Sequence, residues 1–393
     1  MRFQRLCSTL GLLVLAACAG PISEEMVEGL PGDPLPGLSP EEAARFAAGK
    51  ALFNRAFTPE EGLGPLFNQT QCSSCHDLPT SGGHGAEPVM KATRFNADSG
   101  CSLLTEAGGD MLQKSLTPLA RAAGLAPEQI PEGATDVSEI HAPPLYGLGL
   151  VEAVPLSAIR AGADPDDQDG DGISGRLGTA GDGSVGIFGM KAVHPSLLSF
   201  TEDATRGELG LTTPSQPTES LPQGLPLPDG VDPAADPEID SAFLLALVDY
   251  VRFLAPPMRQ LPQGPEERAS VVEGHQIFTS IGCATCHTPV WTTGPNPSPA
   301  LSEKRFQAYS DFLLHDLGPD LADICAPGAG RSEWRTTPLM GLSLRSVFLH
   351  NGRAQRLVDA VELHGGEAAG SRALFRSLSE NMRQDLVRFL QSL

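Results

Sequence analysis

Apolar residues in this chain come in short, separated bursts, and each burst has its own flanking punctuation. The first, residues 10–15, follows Arg2 and Arg5 and runs into Ala16, Ala17 and Cys18. It is far shorter than the ~20 residues that a membrane-spanning helix needs. Positive residues, a short apolar run and small residues in that order predict an export signal over residues 1–17. From Ala19 to Leu38, Pro and Gly recur with almost no apolar period, which predicts a flexible tether over residues 18–38. Helical periodicity begins after Ser39-Pro40-Glu41-Glu42. A capping hydroxyl, a proline in the first turn and two acids at the positive end of the helix dipole predict a helix that continues through residues 44–57.

The same pattern then occurs twice. Gly-x-x-x-Phe stands at Gly49 and Phe53 and again at Gly274 and Phe278. Pro-Leu-x-Gly-Leu-x-Leu starts at Pro144 and again at Pro338, and Val-Arg-Phe-Leu closes a helical stretch at Leu254 and at Leu390. Three landmarks recurring in one order are the mark of an internal repeat. They divide the chain into units at 39–258 and 271–393, joined by a polar linker at 259–270 that follows Pro256 and Pro257. Long Gly- and Pro-rich loops separate the helices, above all residues 212–236, read as a surface excursion. The fold class expected is mainly α, with two tandem units.

Each unit carries one Cys-x-x-Cys-His: Cys72, Cys75 and His76 in the first, Cys283, Cys286 and His287 in the second. Two thiols at this spacing reach both vinyl groups of a porphyrin, and the adjacent imidazole coordinates iron. Zinc would want a second ligand pair at finger-like spacing near each motif, and the sequence has none. The expectation is two elaborated cytochrome c-like domains, two covalently bound haem c groups, and His76 and His287 as iron ligands. Few aromatic residues and many turns make a core without haem poor, so the apo chain is expected to fold badly.

Cysteine use and charge refine this picture. Leu15-Ala16-Ala17-Cys18 looks like a bacterial lipobox, implying cleavage before Cys18 and lipid attachment there. Ala19 rather than Asp after it points, by resemblance to bacterial sorting rules, to the periplasmic face of the outer membrane. Of eight cysteines, Cys101 and Cys325 remain without a role, and in an oxidising compartment they form either a disulfide or two buried free thiols. A net charge of −21, more negative still once Arg2 and Arg5 are removed, excludes nucleic acid as a partner and favours a basic electron donor.

Further segments carry a family resemblance: Gly147-Leu148-Gly149-Leu150-Val151-Glu152-Ala153, and residues 164–176, 309–318, 333–336 and 348–354. Together they make the chain resemble the di-haem oxidoreductases, labelled peroxidase or thiol oxidoreductase-like, which are relatives of bacterial di-haem cytochrome c peroxidases. In those peroxidases a segment like residues 349–353 precedes the distal ligand of the electron-transfer haem by a fixed interval, which lands here on His364. Histidine in place of the peroxidases' methionine implies a bis-histidine haem of lower potential. Met340 is the rival ligand.

For the first haem, His84, His141 and His194 are candidate distal groups. Glu152 is the candidate acid-base carboxylate, with Arg176 as its charge partner. His315 and His350 are expected beside the haems without ligating iron, and Trp334 either between the haems or as an ordinary core residue. Asp167, Asp169 and Asp171 open like a calcium loop but lack the twelfth-position Glu, where Gly178 stands.

The function implied is an electron-transfer enzyme. Its second haem takes electrons from a small redox protein or a quinol-linked chain, and its first reduces hydrogen peroxide. The alternatives are a non-catalytic electron-transfer cytochrome and a di-haem oxidase of an organic or thiol substrate.

Overall fold

The structure is a computed structural model that describes residues 26–393. The export signal at 1–17, Cys18 and the first part of the tether lie outside the described residues. The remainder of the tether is docked, contrary to expectation. Val27 N donates to Arg305 O at 2.8 Å, Gly29 N to Pro256 O at 2.8 Å and Leu35 N to Phe253 O at 2.7 Å. Leu35 is 2% exposed. Aperiodic sequence said only that this stretch is not helical; its backbone groups pair with the body in extended form.

The first helix is Pro40–Phe53. Ser39 Oγ accepts from Glu42 N and Glu42 Oε2 from Ser39 N, a reciprocal cap that fixes its start. It stops short of residue 57 because Phe57 N turns to Thr70 O instead. This helix crosses Ser241–Arg252, and in the second half Pro265–Ser280 crosses Glu380–Leu390. The repeated glycines are the crossing points. A Cβ on Gly49 would lie 2.0 Å from Ala246 O, and one on Gly274 would lie 2.0 Å from Asp385 O. Only glycine lets the two backbones approach so closely. Since a helix starts at Pro265, the expected linker 259–270 reduces to residues 259–264.

The Pro-Leu-x-Gly-Leu segments meet each other. Gly147 and Gly341 hold φ values of +69° and +71°, each opening a short helical turn. A Cβ on Gly147 would lie 2.8 Å from Met340 Sδ, and one on Gly341 would lie 3.5 Å from Tyr146 Cδ2. The two halves thus pack through equivalent residues. The largest core cluster accordingly mixes Tyr146, Leu247 and Tyr250 with Phe306, Phe312 and Met340, so the halves are not separately packed domains.

Helix accounts for 33% of the chain and strand for 15%, so the expected mainly α class understates the β content. The two longest strands belong to one antiparallel sheet in the first half. Its strand Pro88–Asn96 pairs with Gly100–Ser102, Met111–Leu112 and Asp136–His141. Cys101 and Cys325 are joined as a disulfide with a Cα–Cα distance of 5.8 Å, tying this sheet to the second half. No helix among the described residues is long and apolar enough to cross a membrane.

Candidate functional site

Both Cys-x-x-Cys-His motifs fold as a single helical turn. Cys75 N donates to Cys72 O at 3.2 Å and His287 N to Cys283 O at 2.9 Å, which brings each pair of thiols and its histidine onto one wall. The wall belongs to one cavity of about 890 Å³, lined by the cysteines and histidines of both motifs and by His364. Phe53, Leu145 and Val251 give its first end an apolar surface, and Phe278, Leu339 and Leu386 do so at its second.

Three histidines share one arrangement. His76 Nδ1 lies 3.0 Å from Gly83 O, His287 Nδ1 2.9 Å from Tyr309 O, and His364 Nδ1 2.7 Å from Ala360 O. A carbonyl can only accept, so Nδ1 carries the proton and Nε2 keeps its lone pair. Desolvation lowers the pKa of all three below the usual histidine value, that of His287 to about 4. They are neutral at pH 7, the form that binds metal, with the ring orientation set by a second partner. Desolvation also pushes the thiols of Cys72, Cys75 and Cys283 up to about 12. Paired neutral thiols, oriented neutral imidazoles and apolar walls fit a porphyrin at each end.

The other expected site residues divide sharply. Glu152 is structural: Oε1 accepts from Leu197 N at 2.9 Å, capping the helix Leu197–Leu209, and Oε2 accepts from Arg252 Nε at 2.9 Å. Arg176 binds Glu333 through two 2.7 Å hydrogen bonds. Glu152 and Arg176 therefore do not meet, and neither lines the cavity. His84 also turns away, its Nε2 3.4 Å from Ser346 Oγ. Met340 packs in the core against Gly147. His141 and His194 do line the cavity.

His315 sits between Asp311 and Glu367, with Nε2 at 2.8 Å and Nδ1 at 2.6 Å, and beside Cys286. Burial opposes its charge, but its contacts with Asp311, Cys286 and Glu367 prevail and raise its pKa to about 12, so it is a cation on the cavity wall. His350 stacks on Trp334. The oxygens of Asp167, Asp169 and Asp171 lie within 4.8 Å of one another, with backbone N–H groups of their own turn bonded to them.

An ionisable group that the motifs did not indicate lines the first end. Glu208 Oε2 accepts from Asn68 Nδ2 at 3.1 Å, and its carbonyl accepts from the N–H groups of Asn68 and Gln69, just ahead of Cys72. Burial raises its pKa to about 7. Lys91 and Asp110 form a 3.0 Å ion pair beside it, and His194 Nε2 is 3.5 Å from Asp203. Glu208 shares a helix face with Leu197, Thr201 and Thr205, all cavity- or core-facing. An acid on an otherwise inward stripe was the available signal.

No curated protein matches the chain. Among solved structures it is similar to a Kuenenia stuttgartiensis hydrazine synthase pressurised with xenon (14% identity, 100% of both chains, TM-score 0.45). It is also similar to a MauG-like protein associated with microbial copper homeostasis (15% identity, 95% of both chains, TM-score 0.41). A third is the diheme peroxidase BthA from Burkholderia thailandensis E264 (15% identity, 94% of this chain and 92% of that one, TM-score 0.41). The sequence family described as "Di-haem oxidoreductase, putative peroxidase" matches residues 29–103 and 135–393, and with nearly the whole described chain covered, this protein belongs to that family.

Proposed function

We propose that the chain is an exported c-type di-haem peroxidase that reduces hydrogen peroxide at its first motif with electrons received at its second. Cys72 and Cys75 would hold one haem by thioether bonds with His76 as iron ligand, and Cys283 and Cys286 the other with His287 and His364. When bound, the haems supply the redox change and the electron path.

The observation that carries the proposal is an asymmetry in the cavity wall. The second end offers a second neutral histidine, His364, whose Nδ1 is pinned so that Nε2 is free to ligate. Among the described residues, the first end has no second histidine held in that way: His194 has both ring nitrogens engaged, by Ser199 Oγ and Asp203. Near it on the wall, which His141 also lines, stands Glu208, a buried carboxyl with a pKa of about 7. A carboxyl poised near neutral pH takes a proton from incoming peroxide and returns one to the leaving oxygen. Lys91, paired with Asp110, holds positive charge nearby, and the apolar walls keep bulk water from competing for the proton.

Electron paramagnetic resonance of the ferric protein tests this. One high-spin signal that changes on peroxide addition supports it, and two low-spin signals untouched by peroxide sink it in favour of a non-catalytic electron-transfer cytochrome. Lipid anchoring through Cys18 at the periplasmic face of the outer membrane belongs to the same proposal; palmitate labelling that persists in C18A would overturn it. So does a calcium ion at Asp167, Asp169 and Asp171, supported by the convergence of their oxygens. Unchanged thermal stability on chelation speaks against that ion.

A further inference from the structure

Three arginines line the cavity, and none is paired with a carboxylate among the described residues. Arg372 donates to Glu362 O at 3.3 Å, while Arg335 and Arg345 each keep a buried nitrogen with no acceptor. Arg335 is 9% exposed; its Nε donates to Gly189 O at 2.8 Å, while Nη1 is buried without any acceptor. Arg345 makes no side-chain hydrogen bond or ion pair among the described residues, and its Nε is likewise buried and unpartnered. Both line the cavity.

Scarcity of carboxylates does not explain this, since the chain has 48 acidic residues against 27 basic ones. Elsewhere half-buried arginines find partners within the chain: Arg176 and Arg252 have carboxylates, while Arg206 and Arg259, whose Nε atoms are also unpartnered, spend their terminal nitrogens on Gln216, Thr218 and Ser392. Asp311, whose field reaches Arg335, is already bonded to His315. A guanidinium shut off from water without a counter-ion is unfavourable, so Arg335, buried, and Arg345, half-buried with no side-chain bond among the described residues, both on one cavity wall, call for an anion that enters that cavity. Each haem carries two propionate carboxylates, and the planar guanidinium fork matches a carboxylate in two-point fashion.

Their neighbours assign them to different ends. Arg345 precedes Ser346, which reaches His84 in the loop after the first motif, and its charge acts on that histidine. Arg335 lies within the field of Asp311, whose N–H donates to Cys286 O in the second motif.

We infer that Arg345 and Arg335 are the propionate receptors of the cavity, Arg345 for the first haem and Arg335 for the second. This rests on the two-haem assignment above. Answering a propionate with a cation removes negative charge from the surroundings of the iron and favours the reduced state.

The test uses full-length R345M and R335M made in a host competent for cytochrome maturation, with haem counted first by pyridine haemochrome. Thioether attachment does not need either arginine, so both haems stay. R345M is expected to lower the midpoint potential of the first haem and to shift its propionate bending bands in resonance Raman spectra, leaving the second haem unmoved; R335M does the reverse. Two haems retained with potentials and bands as in wild type overturn the inference alone. Wild-type protein lacking two haems overturns the assignment beneath it as well. Should either methionine variant fail to fold, R345K and R335K decide. Each keeps the charge but loses the fork, so its bands shift with a smaller change in potential, and bands identical to wild type overturn the inference.

Discussion

Lys191 Nζ lies 3.4 Å from the centre of the Trp334 ring, whose opposite face is covered by His350, stacked at 3.6 Å and 14°. The amine has three acceptors, Gly330, Arg331 and Glu333 O, so it is fixed on the indole. Trp334 is a buried residue whose Nε1 donates to Leu321 O at 2.9 Å, and it is also one of the residues that line the cavity.

The first prediction concerns that lysine. Burial pulls its pKa down from 10.5 to about 7, against the opposing fields of Asp323 and Glu333. Between those two values the unfolded chain keeps a proton that the folded one has released. Its contribution to stability therefore rises with pH from about 7 and levels off near 10.5. Below pH 7 both states hold the proton and the contribution is flat. Urea midpoints of wild type and K191M measured from pH 6 to pH 9 should diverge only above pH 7, with wild type gaining. Parallel curves would show that Lys191 keeps its proton throughout.

Glu208 gives the second. E208Q keeps the shape and the amide can still meet Asn68, but it cannot move a proton. Peroxide turnover should fall roughly 10²- to 10⁴-fold with haem content unchanged. In wild type, kcat/KM for peroxide should decline on acidification through about pH 7, as the carboxylate takes up its proton. That limb should be missing in E208Q. An E208Q enzyme with wild-type turnover would remove Glu208 from the chemistry.

What the sequence showed and what it hid follow from range. The repeat of Gly-x-x-x-Phe at Gly49 and Gly274 was legible because it is a local pattern, but that these glycines are where helices cross was not, since each crossing depends on a helix far along the chain. The string Val-Arg-Phe-Leu misaligned the partner helices, however. Gly49 meets Tyr250, one residue before its string, while Gly274 meets Phe389, two residues inside its own. The crossings differ by three residues, about one helical turn, and packing rather than wording set the register. Glu152 was misjudged because a carboxylate's role depends on which N–H or cation reaches it, here Leu197 and Arg252 from distant parts of the chain. Glu208 was missed because nothing near it in sequence announces the cavity.

His364 supports the third prediction. Its Nδ1–H bond to Ala360 O orients the ring from within its own helix end, so replacement by Met changes the donor atom without disturbing the fold around it. A thioether favours ferrous iron more than imidazole does, so H364M should raise the midpoint potential of the second haem and leave the first unaltered. Spectroelectrochemistry of the purified variant reads this directly. Equal potentials in H364M and wild type would mean that His364 is not a ligand.

The fourth prediction concerns the Cys101–Cys325 bond, which spans 224 residues of sequence. Closing so long a loop restricts the unfolded chain most, and removing a native disulfide typically costs about 2–5 kcal/mol. Here the cost should reach the cavity too. Cys325 lines it next to Ile324 and Ala326, and Cys325 N donates to Thr93 Oγ1 at 3.1 Å in the central strand of the sheet. Losing the bond leaves that hydrogen bond, those of Ser138 to Asp323 and of His141 N to His350 O, and the Arg331–Asp136 ion pair to hold the sheet against the second half. Because Arg331 is largely exposed, the pair is screened and adds little. The C101S/C325S double variant should therefore melt several degrees below wild type, and a reductant should bring wild type down to the same temperature. Serine at both positions avoids leaving one reactive thiol behind. If wild type, shown by thiol titration to be fully reduced, melts where the oxidised protein does, the strap contributes nothing and the two halves are held by their shared core alone.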